Sequence, residues 1–195
     1  MRRRIMASTV GHALCGISCL LGVSGANPGR PIPLTLRSAA LFMLLANLPD
    51  IDFLVGYIVA QDPNAFHQGP THSLLFAMVA GLLAGFAWRK QLGLRLASVA
   101  FTAAVLSHDV VDILTGPILG FVRSPGLALL WPFSTEKISA PFTLFPGILH
   151  LTFGELVSWH NMTAIAFELA VFIPIIVLLY KWKAKMYSNR ENSPV

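Results

Sequence analysis

Charge is scarce in this 195-residue chain: Asp, Glu, Lys and Arg make up 12% of it, against about 25% in ordinary soluble domains. Cysteine is nearly absent as well. Cys15 and Cys19 are the only two, four apart in an apolar run, where they read as small hydrophobes on one helix face, since consecutive-turn cysteines fit disulfide geometry poorly. There is no internal repeat and no low-complexity tract. Together these absences exclude a disordered chain, a polar nucleic-acid-binding tail and a disulfide-stapled secreted domain. Apolar residues fill the space instead, at 55% of the chain, with a mean hydropathy of +0.67. The runs 73–88 and 163–180 carry a single charge between them, Glu168, and faces of that kind call for a bilayer as solvent.

The net charge of +5 does not imply nucleic acid. The basic residues form short clusters beside apolar runs (Arg2–Arg4; Arg89, Lys90 and Arg95; Lys181, Lys183 and Lys185), which is how membrane anchors are placed. The amino terminus imitates a signal peptide, with small residues at Ser24, Gly25 and Ala26. His12 in the middle of its apolar stretch argues for a retained helix over 5–22. Further apolar helical segments are expected at 38–60, 72–88, 96–115 and 163–180. Pro49 breaks the second into two halves or a kink, and Thr71 is the expected N-cap of the third. Residues 25–37, rich in proline, are a loop. Five prolines break up 116–160, including Pro132 beside Trp131; this stretch is too broken to span and too apolar to be freely solvated, so it reads as an interfacial or re-entrant cap. The expected fold is one all-α membrane domain over 1–195, with about five segments in an up-down bundle, a kinked second segment and an irregular cap.

Polar residues gather in four of these stretches: His12; Asp50 and Asp52; His67 and His72; His108, Asp109 and Asp112. Ionisable side chains within apolar spans are expensive and normally face an interior or a watery cavity. His108 and Asp112 are four apart and share a helix face, and Asp109 is turned about 100° from His108 toward other partners. Alternating direction through an up-down bundle brings all four stretches to the same depth. Imidazole and carboxylate without thiolate suit Zn²⁺ first, and also Mn²⁺ or Fe²⁺, with room left for water. The expected ligands are His12, Asp50, Asp52, His67, His72, His108 and Asp112. Asp50 and Asp112 are the candidate catalytic carboxylates, as proton acceptor or metal bridge, and spacing does not fix the number of metals. His150, Glu155 and His160 drift around a helix at five-residue spacing and read as a solvated interfacial face. Glu168, inside the last span, reads either as an acid that supports the ligands from behind or as a buried hydrogen-bonded group.

Gly11-His12, the PDID of 49–52, His67-x-Gly-x-Thr-His-Ser73, His108-x-x-x-Asp112 and Leu130-Trp-Pro132 follow one another in this order. The pattern resembles that of the LexA-associated, inner-membrane metal-dependent hydrolases, over roughly residues 11–132. The resemblance implies a polytopic bacterial inner-membrane protein with a hydrolase site, phospholipase-like in chemistry, and carries its metal residues onto the seven named above. Two positions depart from it: Gln68 stands where the family often has a basic residue, and Phe53 where it often has histidine. Where that basic residue would neutralise a phosphate, Gln68 weakens the phosphoester reading. The expected function is hydrolysis, by metal-activated water, of an ester or phosphoester in a lipid or lipid-linked substrate. The competitors are an ion or proton transporter, whose relay would distribute polar residues through the membrane depth, and a scaffold whose His/Asp network only fixes helix packing.

Overall fold

The structure is a computed structural model describing residues 5–24, 32–150 and 153–191. The Arg2–Arg4 cluster, Gly25 and Ala26, and the part of the proline-rich loop at 25–31 lie outside the described residues. A two-residue strand β1 (Ile5–Met6) precedes helix α1 (Thr9–Val23), so the first helix begins later than residue 5. Ser8 caps it by accepting from the Gly11 amide at 3.0 Å. The second segment is broken as Pro49 dictates: α2 (Leu36–Ala46), a 3₁₀ turn (Leu48–Asp50) and α3 (Ile51–Ala60), bent by 52°. A second 3₁₀ turn (Pro70–His72) leads into α4 (Leu74–Ala87). The N-cap of α4 is Ser73, whose hydroxyl accepts from the Phe76 amide, and not Thr71, because the 3₁₀ turn occupies 70–72.

The short α5 (Arg89–Leu92) and α6 (Leu94–Ile113) are separated by Gly93 at φ 78°, a left-handed break that suits glycine. Beyond α6 comes the cap. Strand β2 (Thr115–Gly116) pairs in parallel with β3 (Phe145–Pro146), and β4 (Ile148–Leu149) pairs antiparallel with β1, Ile5 opposite Leu149. The chain ends in a one-turn α7 (Phe153–Leu156) and the long α8 (Trp159–Glu191). Helix α8 runs well past the expected 163–180, because Lys181–Lys185 continue its helical geometry.

Two helices are long and apolar enough to cross a membrane, Leu94–Ile113 and Trp159–Met186, and three if the bent pair α2–α3 counts as one span. Helices α1 and α4 are shorter, 15 and 14 residues; at 1.5 Å per residue they fall well below the ~30 Å hydrocarbon core. The expectation of five spans therefore reduces to two or three by length, with α1 and α4 as short apolar helices beside them. Helix α6 is central, with 56% of its apolar window buried against 17% for α8. Val59, Leu83 and Leu178 point outward and exposed, as lipid-facing side chains would.

Helix α4 approaches α6 through small residues, Ala77, Gly81 and Gly85, spaced by four. A Cβ at Gly81 would lie 2.5 Å from the Thr102 amide nitrogen and 2.6 Å from its Cα. Because the obstacle is backbone, Gly81→Val is expected to cost about 2–3 kcal/mol or more, read as an earlier unfolding transition in detergent. The close approach matters to the site, since α4 follows His72 directly and α6 carries His108 and Asp112.

Candidate metal centre

The polar residues meet at one end of the bundle. The beginning of α1 supplies His12, the bend between α2 and α3 supplies Asp50, the loop and 3₁₀ turn before α4 supply His67 and His72, and the last turns of α6 supply His108 and Asp112. Their ligand-capable atoms form three overlapping groups, each within 4.8 Å: His12, Asp50 and His108; Asp50, His67 and His72; and His72, His108 and Asp112. Six of the seven expected ligands therefore converge, His12, His72 and His108 with no solvent exposure.

Asp52 takes a different place. Its Oδ2 lies 3.2 Å from His67 Nδ1 and 3.3 Å from His72 Nδ1, and it accepts from the Thr71 hydroxyl at 3.2 Å. It sits behind the two imidazoles, outside all three groups among the described residues, where a carboxylate fixes ring orientation and tautomer. Thr71, read from sequence as a cap, holds Asp52 instead.

Tautomers follow from the partners. The Ala46 carbonyl has no proton to give, so His108 Nδ1 donates to it at 2.8 Å and His108 Nε2 is the ring nitrogen turned toward the carboxylates. His72 Nδ1 faces Asp52 at 3.3 Å, which turns His72 Nε2 the same way. Burial pushes His72 below the usual imidazole range, partly offset by Asp52. The Nε2 atoms of His72 and His108 face each other at 3.1 Å. Asp50 Oδ1 is 3.5 Å from His108 Nε2 and 3.8 Å from His72 Nε2; Asp112 Oδ2 is 3.4 and 3.7 Å from the same atoms. Both carboxylate oxygens lack a hydrogen-bond donor.

Imidazole nitrogens beside carboxylate oxygens that lack a donor are the ligand types a divalent cation takes. Bonds of ~2.1 Å in a tetrahedron put ligand atoms about 3.4 Å apart, and His72 Nε2, His108 Nε2 and either carboxylate oxygen lie 3.1–3.8 Å from one another. The residues present fit a divalent metal ion. His12 and His67 extend the set on either side: His12 stacks on His108 with ring centroids 3.7 Å apart, and its nitrogens and His67 Nε2 are buried without hydrogen-bond partners.

Other residues complete the surroundings. The Ala7 amide donates to Asp112 Oδ1 at 3.0 Å, and His12 Nε2 is 3.3 Å from the same oxygen. Asp109 is buried, with neither oxygen hydrogen-bonded. His150 does not lie on a solvated face: burial lowers its proton affinity, its Nε2 pairs with Asn64 Oδ1 at 3.1 Å, and its ring lies against Phe53 and His67. His160 donates to the Gly147 carbonyl at 2.9 Å. No spacing rule links His150 to His67, because the cap that carries it follows no helical period. Ala7 and Ala46 act through backbone groups, which residue type does not reveal.

A family profile described as the YdjM inner membrane protein matches residues 6–187. The inner membrane protein YbcI of Escherichia coli (strain K12) is 34% identical over 140 residues, covering 70% of this chain and 74% of that protein. No solved structure matches the chain. The chain belongs to the YdjM inner membrane protein family and is a protein of the bacterial inner membrane.

Proposed function

We propose that this protein is a membrane-embedded metal-dependent hydrolase that cleaves an ester or phosphoester bond of a lipid or lipid-linked substrate. The observation that carries this is the convergence of His72 Nε2 and His108 Nε2 with Asp50 Oδ1 and Asp112 Oδ2, two buried carboxylate oxygens that lack a hydrogen-bond donor. His12 and His67 complete the cradle, and Zn²⁺ suits the ligand types best, with Mn²⁺ and Fe²⁺ next. A bound divalent ion supplies Lewis-acid polarisation of a substrate oxygen and of water at neutral pH.

The chain's own groups divide the remaining work. Asp50 is the member of this set that solvent reaches, its side chain 15% exposed where those of His72, His108 and Asp112 are at zero. It therefore meets the attacking water, takes its proton and returns a proton to the leaving oxygen as the ester bond breaks. Asp112, fixed by the Ala7 amide, stays in place on the inner side. Asp52 orients two imidazoles and touches no substrate. The bent segment α2–α3, α1 and α4 enter as further apolar elements of the bundle, so that five segments enclose the site.

Two features support a lipid-like substrate. Phe121 and Phe133 project from the cap 98% and 89% exposed, which suits insertion at the headgroup level of the bilayer. The cap also closes over the site through backbone bonds, Leu74 to Leu129 and Ala128 to Gln68. The gathering of the polar groups into one cluster favours chemistry at a point over a relay strung through the membrane.

The test is metal analysis of the purified protein, followed by assay of the metal-loaded form against phospholipids and generic phosphoesters. The expected result is a stoichiometric divalent ion, a lower unfolding temperature in chelator and turnover of at least one ester class. Absence of Zn, Mn and Fe, with stability unchanged by chelator, would overturn the proposal.

A further inference from the structure

The ligand cluster occupies one end of the bundle, and a cavity of about 330 Å³ lies toward the other. Helices α2 and α6 begin at that end and reach the metal centre at their far ends, while α4 finishes there. Phe42, Leu92 and Phe101 are buried in the cavity wall. Phe101 is fixed by edge-to-face contacts, its ring centroid 5.6 Å from that of Phe42 and 6.0 Å from that of Trp88. Trp88 also lines the cavity and is 39% exposed, which suits an aromatic residue at a membrane–water boundary. A concave, mainly apolar space of this volume with a few polar groups at its mouth is large enough for a small ligand or part of a larger one.

The charge around the cavity has one sign. Arg37 lines it beside the start of α2, where the Thr35 hydroxyl accepts from the Ser38 amide at 3.2 Å. The Arg37 side chain is exposed and makes no hydrogen bond or ion pair among the described residues. Lys90 and Arg95 follow closely on α5 and α6, and Arg89 donates to the Phe86 carbonyl at 2.6 Å. Residues 32–46 and 73–108, which build this end from α2, α4, α5 and α6, contain no Asp or Glu. These segments therefore supply cations and no acid to neutralise them, and the amino-terminal end of α2 adds its own partial positive charge.

An apolar wall beside unneutralised cations selects an amphiphile of the opposite sign. We infer that the cavity holds one anionic phospholipid, its phosphate on Arg37 and the upper part of one acyl chain against Phe42, Trp88 and Phe101. The site is separate from the metal centre and does not depend on the proposed reaction. A lipid seated there joins α2 to α4 and α6, the elements whose other ends carry Asp50, His72, His108 and Asp112.

Trp88 makes the cavity readable, because bromine atoms on an acyl chain quench an indole only at close range. Wild type, Trp88→Phe, Arg37→Gln and Arg37→Lys are titrated, in micelles of an uncharged detergent, with chain-brominated phosphatidylglycerol or phosphatidylcholine. The Trp88 signal is the difference between wild type and Trp88→Phe. It should saturate, with half-maximal quenching at a mole fraction about fivefold lower for phosphatidylglycerol than for phosphatidylcholine. Arg37→Gln should bring the two lipids to within about twofold of each other, and Arg37→Lys should keep most of the preference. Equal curves for the two lipids in wild type, an Arg37→Gln preference matching wild type, or identical quenching in wild type and Trp88→Phe would each overturn the inference. So would equal loss in Arg37→Gln and Arg37→Lys, since charge would then have no part in the binding.

Discussion

Replacing His108 with alanine is expected to strip the protein of its divalent ion and to lower turnover by at least about a hundredfold. The effect is large because His108 belongs to two of the three ligand groups, and its Nε2 lies within 3.1–3.5 Å of His72, Asp112 and Asp50. Removing it takes a ligand from both of those groups and leaves each with two. Asp52→Asn is the informative companion. An amide can present its NH₂ to His67 and His72, turning their Nδ1 atoms into acceptors and protonating the Nε2 that should be bare. Loss of such a supporting carboxylate typically costs 10–100-fold in metal affinity or activity. Metal content and turnover, measured beside far-ultraviolet circular dichroism, check both variants. Full metal content in His108→Ala with unchanged helicity would show that the ion is held without His108 and would overturn its role as a ligand.

Much of this site was legible because its chemistry sits at helical spacing or in short polar motifs. His108 and Asp112, four apart, do lie on one face of α6, and Pro49 does break the second segment beside Asp50. The common depth of the four stretches followed from alternating chain direction alone. What escaped notice depends on the cap and on the backbone. Residues 116–150 form short strand pairs and isolated bridges, with no period from which to infer that His150 packs on His67. Gln68, taken by itself, weakens the phosphoester reading; nothing local reveals that Lys137, 69 residues later, reaches its amide. Asp50 and Asp52 also look equivalent in sequence. The 3₁₀ turn separates them, sending Asp50 into the ligand set and Asp52 behind His67 and His72. The boundaries of α1 and α8 differed because β1 takes residues 5–6 into a pairing with β4, and because the basic end of α8 stays helical.

The second large effect is expected at Glu168, which lies in the α8 span and is fully buried. An acid there is costly unless its oxygens are satisfied. Both are: the Ser8 amide donates to Oε1 at 2.9 Å, and the Ser8 hydroxyl donates to Oε2. The same hydroxyl caps α1 by accepting from Gly11, and the Ser8 carbonyl accepts from the His12 amide at 3.0 Å. Consecutive amides of Ala7 and Ser8 thus go to two acids on different helices, Asp112 of α6 and Glu168 of α8. This knot orients the first turn of α1 and with it His12. The carboxyl group fits only because residue 11 is glycine, since a Cβ there would lie 2.7 Å from Glu168 Cδ. Glu168→Ala should cost roughly 2–5 kcal/mol, from two stranded donors and a cavity beside α1. Glu168→Gln should lose less, because its carbonyl can still accept from the Ser8 amide. Unfolding in detergent reads the stability, and metal affinity reads the position of His12. If the Ala variant melts with wild type, α8 is held to α1 by apolar packing alone and the acid has no structural role.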